Sequence, residues 1–446
     1  MGLYICEITL QILEFLVKDS NKKIRGDFMK YKSYCGLAIL ALGVFVLNTG
    51  CLFTRIDEQL MKARHYETYQ PREYFEPVKY ISAGGVDYAY IEKGEGPTVI
   101  LLHGGIVTFD IGKSLEVNPY WDSLALLLGG GFIVPGRAQS LLHFGAISTI
   151  NTWEYNFNEL AKKFNVIALD LPGFGNSSKP DTRYTIPEMT VYLNQFLEAK
   201  GLKKVYLVGH DYSGLLAIDY ALTYPEKISG LILIAPYGTE SHPFYYPVHL
   251  VWHYPRWIAR NLYRDKAGRV DIYRNVLNKK GESTYRKLFY KPESRLIEDT
   301  SSQYGRLIYN DNEQAKKFVD GIIKYKFESN WLNTREFADE LIATHLSLQD
   351  VGRKDYWGII SLKDEKRTDW VTRVKFIQAP TLILWGKYDP LISVEEASYL
   401  DHVIPNSSLN VFEKSAHYPM VEESEEFNQQ VLRFLSGVEA TSIATK

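Results

Sequence analysis

From about residue 78 onward the apolar positions fall into short runs separated by polar, glycine-bearing stretches. The runs Tyr88–Glu92, Thr98–Leu102, Val166–Leu169, Val205–Val208, Leu231–Ile234, Thr381–Trp385 and Leu409–Phe412 are predicted as strands. Most of those from Thr98 onward are unbroken and often β-branched, the pattern of strands covered on both faces of a parallel sheet. Between them lie stretches predicted as helices, among them Glu154–Phe164, Ile186–Lys200 and Ser213–Tyr224. Such alternation predicts a doubly wound, mostly parallel α/β sheet.

The N-terminal part follows a different pattern. After Lys30 and Lys32 comes an apolar run, Gly36 to Leu47, and then Asn48-Thr49-Gly50-Cys51. A basic start, an apolar middle and a small-residue end form the layout of a secretory signal. Cys51 stands where a bacterial lipoprotein is cleaved and lipidated, although Asn48 occupies a position usually taken by Leu. Left uncleaved, Tyr34 to Phe53 is long enough to span a bilayer as a helix. Lys22, Lys23 and Arg25 add to the basic side, so the following domain is expected outside the cytoplasm. A buried core helix is the third reading of this run. Glu7 and Glu14 interrupt the apolar stretch before it, so a native start at Met29 is a further expectation.

Composition narrows the function. Of 446 residues, 46% are apolar and 23% charged, ordinary values for a globular protein. Lys+Arg 51 against Asp+Glu 53 leaves a net charge of −2, without the basic field that a nucleic-acid partner requires. Cys6, Cys35 and Cys51 are the only cysteines, so the remainder carries neither a disulfide framework nor a cysteine metal site. His249 and His253 stand at i, i+4 without a third ligand, and no metal is predicted.

The candidate chemistry lies at strand ends. In Val208-Gly209-His210-Asp211-Tyr212-Ser213-Gly214 a strand turns sharply into a helix, with a nucleophilic residue between small neighbours Gly209 and Ser213. A bulky neighbour would clash in a turn so tight. Its central residue is Asp211. Reading Ser213 as the nucleophile puts Asp211 and Leu215 in the small positions, and is rejected. Asp389 ends a later strand in Trp385-Gly386-Lys387-Tyr388-Asp389, and His417 follows the last one in Ser415-Ala416-His417-Tyr418.

Nucleophile, acid and histidine in that order resemble the α/β-hydrolase fold family. His103-Gly104-Gly105 resembles the family's oxyanion loop, and Asp170 to Ser177 the loop after its fourth strand. The resemblance runs from about Val78 to Gly437. Gly-His-Asp-aromatic is similar to the epoxide hydrolase and haloalkane dehalogenase branch, and implies an Asp211–His417–Asp389 triad. A carboxylate attacks an sp³ carbon and forms an alkyl ester, which an imidazole-activated water then hydrolyses. The resemblance also implies an oxyanion site at the N–H groups of Gly105 and Tyr212, with His103 and His210 as buried, hydrogen-bonded loop residues.

Implied domains are an N-terminal extension and anchor (1–53), a linker (54–77), a first core part (78–238), a helical cap (239–375) and a second core part (376–440). Eleven tyrosines between Tyr245 and Tyr356 could supply the ring-opening donors of an epoxide hydrolase, with no pair singled out. Tyr212 stands where dehalogenases commonly carry Trp. Ile106 stands where epoxide hydrolases typically carry Pro. Residues 107–147 read as an insertion in the oxyanion loop, since removing them restores the family spacing from His103 to Trp153. Leu141-Leu142-His143 even echoes Leu101-Leu102-His103. The insertion is either a tolerated excursion or a lesion that impairs activity.

The expectation is a membrane-tethered α/β hydrolase without cofactor that acts on a small apolar electrophile, foremost an epoxide. A dehalogenase or other ester or C–X hydrolase is the enzyme alternative. A non-catalytic homologue that binds ligand in the same pocket is the alternative from another class.

Overall fold

The computed structural model describes residues 68–104, 108–110, 141–143, 148–180, 182, 184–236, 312–325, 334, 336, 339–340, 343, 373–389 and 392–444. The expected anchor and Cys51, Gly105, and most of the expected insertion and cap lie outside the described residues. No helix among the described residues is long and apolar enough to cross a membrane.

The strands are β1 Lys79–Ala83, β2 Val86–Lys93, β3 Thr98–Leu102, β4 Thr108–Asp110, β5 Leu141–His143, β6 Asn165–Leu169, β7 Val205–His210, β8 Ile228–Ile234, β9 Thr381–Gly386 and β10 Ser407–Phe412. Eight of them form one sheet in the order β1-β2-β6-β3-β7-β8-β9-β10. From β6 across to β10 every neighbouring pair is parallel, while β1–β2 and β2–β6 are antiparallel. All seven strands read from the sequence are present, most of them longer by a residue or two.

The unbroken apolar runs serve two cores. Val99 and Leu101 pack on one face with Trp153, Phe157 and Tyr206. Ile100 and Leu102 pack on the other with Phe196, Leu216 and Trp385. With side chains alternating by face, a strand buried on both sides must be apolar at every position. Helices α1 Phe157–Leu160, α2 Ile186–Ala199, α3 Tyr212–Thr223, α4 Glu313–Ile323, α5 Glu395–Val403, α6 Pro419–Glu422 and α7 Ser424–Ala444 accompany the sheet. Helix α2 begins on a complete capping box, with Thr185 and Glu188 each bonding the other's backbone N–H.

Three expectations are corrected. Strand β1 goes unseen in the apolar pattern, because an edge strand with Lys79 and Tyr80 exposed lacks the apolar run of a covered one. Of the helix predicted over Glu154–Phe164 only the short α1 forms, after a 3₁₀ turn at Ile150–Trp153. The residue before α1 is Asn156, whose buried amide donates to the Met420 carbonyl and the Asn428 side chain. Residues 68–77, predicted as the end of a free linker, are docked. Tyr69 and the Arg72 N–H donate to the Asn176 side chain, Phe75 packs edge-on against Phe157, and Arg72 is buried against Glu340 at 3.0 Å.

Strands β4 and β5 form a sheet of their own, with Thr108 opposite His143. In the large sheet the chain moves from β3 outward to β6, then returns to place β7 on the other side of β3. This reversal puts the carboxyl ends of β3 and β7 at a topological switch point, where open α/β sheets bind their ligands.

Removing one partner of a buried ion pair strands the other charge, at a cost of about 3–5 kcal/mol. Glu340→Gln is therefore expected to destabilise the chain by about that much, and Arg72→Met with Glu340→Leu to recover most of it. Urea unfolding of the two variants checks this; a double variant as weak as the single one contradicts it.

Candidate active site

Asp211 is the hinge between β7 and α3. Its backbone sits at φ 53°, ψ −121°, a region that costs a non-glycine residue roughly 1–3 kcal/mol. The surrounding main chain holds it there: Asp211 N–H donates to Ile234 O on β8 at 3.0 Å, and Gly214 N–H donates to Asp211 O at 2.9 Å. Gly209 has no room for a side chain, since a Cβ there would lie 2.2 Å from Ser213 O. At Gly214, too, a Cβ would be crowded, meeting Pro236 at 2.6 Å. Ser213 is fully buried and its hydroxyl donates to the His103 carbonyl.

His417 stands between the two aspartates. Its Nδ1–H donates to Asp389 Oδ2 at 2.8 Å, and its Nε2 stands 3.9 Å from Asp211 Oδ1. The second oxygen of Asp389 accepts the Ile392 N–H at 3.0 Å. Trp385 Nε1–H donates to the Ile392 carbonyl at 3.0 Å and closes that loop. Asp211 is 3% exposed and His417 fully buried. Burial disfavours the His417 imidazolium, but the Asp389 carboxylate, joined by Asp211 and Glu422, more than offsets it and holds the pKa above its ordinary 6.5.

The loop after β3 lies against the same carboxylate: a methyl on Gly104 would come within 3.3 Å of Asp211 Oδ2. Gly105, the predicted oxyanion donor, lies outside the described residues. Tyr212, the other, is the first residue of α3, directly after Asp211. Of the cap tyrosines only Tyr325 is described, and its ring lies under the Arg72 guanidinium at 4.4 Å.

His103 and His210 are buried and hydrogen-bonded, as expected. Leu171 N–H donates to His103 Nε2 at 3.1 Å, so the neutral ring carries its proton on Nδ1, directed at the Gly104 carbonyl 2.5 Å away. His210 Nε2–H donates to the His417 carbonyl at 2.9 Å, and the two rings lie 4.6 Å apart. Burial lowers the pKa of both, and the neighbouring His417 lowers that of His210 further. Asp170, noted in sequence only as part of a loop motif, gathers the rim. Its carboxylate accepts from Ile150 N–H, Asn176 N–H and Tyr74 O–H. Glu422 was missed altogether, its only signal being its place five residues after His417.

Since folding raises the pKa of His417, its imidazolium contributes stability that is complete below the unfolded value of 6.5 and is lost as pH rises through the folded one. Asp389→Asn removes the main cause. Urea unfolding from about pH 6 to about pH 9 is expected to show a shallower decline in the variant than in the parent. Equal slopes would mean that Asp389 does not set the charge of His417.

The profile of the family described as "alpha/beta hydrolase fold" matches residues 132–424, about two thirds of the chain. A 2-hydroxy-6-oxo-6-(2'-aminophenyl)hexa-2,4-dienoic acid hydrolase of Metapseudomonas resinovorans is 23% identical, over 80% of this chain and 90% of its own. Epoxide hydrolase 1 of Caenorhabditis elegans is 24% identical over 64% of this chain and 61% of its own length. Among solved structures, a serine hydrolase involved in carbazole degradation superposes with a TM-score of 0.50 at 20% identity, covering 81% of this chain and 98% of its own. With an Asp-bearing elbow after β7, an acid after β9 and a histidine after β10 on a mostly parallel sheet, the chain belongs to the α/β-hydrolase fold family.

Proposed function

We propose that this α/β hydrolase opens an apolar epoxide in two steps, with Asp211 as nucleophile. The observation that carries the reading is a buried carboxylate, not a hydroxyl, on the strained turn facing His417 Nε2 at 3.9 Å. In the first step an Asp211 oxygen bonds to a ring carbon, the carbon–oxygen bond breaks, and the ring oxygen takes a proton from a donor. The product is an alkyl ester of Asp211. In the second step His417 Nε2 removes a proton from water, whose oxygen attacks the ester carbonyl carbon. The Asp389 carboxylate stabilises the imidazolium so formed. Collapse returns that proton to the departing alkoxide and releases a diol; the carboxylic acid left at Asp211 then gives its proton, by way of solvent, to the donor spent in the first step, which restores the carboxylate.

The second step needs His417 neutral, so the acid limb of the rate profile is expected above the ordinary histidine value. The resemblance to an epoxide hydrolase supports the substrate class. The paired bases of the insertion, Thr108 opposite His143, support an excursion that closes on itself rather than a lesion. The basic start and the apolar run before Cys51 support a tether that leaves the catalytic domain outside the cytoplasm, close to a source of apolar substrates.

On a panel of apolar epoxides and haloalkanes, Asp211→Asn is expected to lower turnover by roughly a thousandfold or more while binding changes little. His417→Gln is expected to stop after the first step and leave a mass adduct on the peptide carrying Asp211. In heavy-oxygen water the parent enzyme is expected to incorporate label into Asp211 over several turnovers. Full turnover in Asp211→Asn would remove the mechanism. Binding without turnover in the parent would indicate the non-catalytic alternative, and turnover of haloalkanes alone the dehalogenase. Deleting residues 107–147 is expected to leave the rate within about threefold, as a surface loop with closed ends costs little; a large gain on deletion would show the insertion to be a lesion.

A further inference from the structure

His417 lies in the connection between β10 and α6, outside any helix or strand, yet its ring must keep its aim to within fractions of an ångström. Glu422, the last residue of α6, turns back onto that connection. Its Oε2 accepts the Ala416 N–H at 2.9 Å and its Oε1 accepts the Tyr418 N–H at 2.8 Å. The two oxygens of one carboxylate thus hold the peptide groups on either side of His417. Glu422 is 5% exposed, and hydrogen bonds to a charged acceptor in such a site are stronger than neutral ones.

The clamp is itself anchored. Asn312 Nδ2–H donates to the Glu422 carbonyl at 2.5 Å, and the same side chain caps α4 by accepting the Gln314 and Ala315 N–H groups. Asn156 Nδ2–H donates to the Met420 carbonyl at 2.9 Å. Phe318 of α4 packs on Tyr418. Both ends of the single-turn helix α6 are therefore tied down, one to the core and one to a helix from the expected cap.

We propose that Glu422 is a positioning residue of the site, its carboxylate clamping the main chain on both sides of His417 so that the imidazole keeps its aim between Asp389 and Asp211. The groups that face His417 from the described elements are Asp389 after β9, Asp211 and His210 at the end of β7, Tyr418 beside it, and Glu422 on α6. His210 is neutral, its pKa lowered by burial. Glu422 therefore adds to the field that favours the imidazolium, behind Asp389 and Asp211. The inference rests on the proposed function only for the role of His417; the clamp and its field can be measured without any substrate.

The test is an NMR titration of protein carrying histidine labelled at the ring carbon, with the His417 signal assigned by its loss in His417→Gln. Glu422→Gln keeps the shape but removes the charge and one acceptor, and is expected to lower the His417 midpoint by about one unit. Glu423→Gln is the control. Glu423 accepts the Lys414 N–H and the Ser415 O–H, three and two residues before His417, and its loss is expected to leave the midpoint within about 0.3 unit. An unchanged midpoint in Glu422→Gln, or equal shifts in both variants, would overturn the proposal.

If Glu422→Gln fails to fold, the full-length parent still decides. Protonation of one carboxylate is expected to move the amide signals of Ala416 and Tyr418 with a single shared acidic midpoint, and two different midpoints would refute the clamp. On an active substrate Glu422→Gln is expected to lower kcat with KM little changed, and to move the acid limb of kcat to lower pH. Absence of turnover across the panel in the parent would count against the proposed reaction and leave the clamp standing.

Discussion

The turn at Asp211 is the constraint on which the rest of the site depends. A strand in the middle of a parallel sheet ordinarily ends by directing its chain away from the sheet edge, and the next side chain follows the strand's alternation. At φ 53° and ψ −121° the chain reverses within one residue. The side chain is thrust out above the carboxyl ends of the strands and α3 starts directly behind it. Strain of roughly 1–3 kcal/mol persists only where neighbours leave no alternative. Here the bond to β8, the crowding at Gly209 and the contact of Gly214 with Pro236 leave none. The helix start behind the carboxylate also gives it the positive end of a dipole.

Around that turn, loops from distant parts of the chain are joined by side chains bonded to main chain. Ser213 bonds the loop after β3, His103 the loop after β6, and His210 the loop after β10. Three histidines in this small volume behave in two ways because their surroundings differ. His103 and His210 each bond backbone groups; Asp170 stands 4.0 Å from His103 Nε2 without bonding it, burial outweighs its pull, and both rings are held neutral. Only His417 has carboxylates on two sides, one bonded to Nδ1 and one facing Nε2, and only there does the charged form gain. A neutral histidine can hold a loop at any working pH; the one that must gain and lose a proton is the one given counter-charges.

Much of this could be read from the sequence because it was dictated locally. Strands buried on both faces must be apolar throughout, which made β3, β6, β7, β8 and β9 visible. The elbow required small residues at fixed offsets, which marked Asp211, and the strand ends marked Asp389 and His417. What stayed hidden depended on contacts across the fold. Edge strand β1 has no buried run. The helix expected over Glu154–Phe164 starts only after Asn156, whose amide is held by partners more than 250 residues away. Arg72, in a segment that composition alone suggested was a linker, found its partner at Glu340. Glu422 looked like any acidic residue near a helix end, because its function lies in where its oxygens return.

Four carboxylates, Asp170, Asp211, Asp389 and Glu422, are gathered within this one site, and their surroundings separate their roles. Asp170, Asp389 and Glu422 each accept hydrogen bonds on both oxygens from main-chain or side-chain donors; a carboxylate so engaged is a poor nucleophile, since attack would break bonds that hold the fold. The 3.9 Å from Asp211 to His417 Nε2 matters for the opposite reason. It exceeds hydrogen-bond length, so Asp211 adds to the field at the imidazole without hydrogen-bonding to it, which leaves the carboxylate able to attack in the proposed reaction. In the proposed reaction it is also short enough that, with an ester in place of the carboxylate, a water held by Nε2 would lie within reach of the ester carbonyl carbon. A separation much shorter would tie up the base, and one much longer would put its water out of range, so one spacing would meet the needs of both proposed steps.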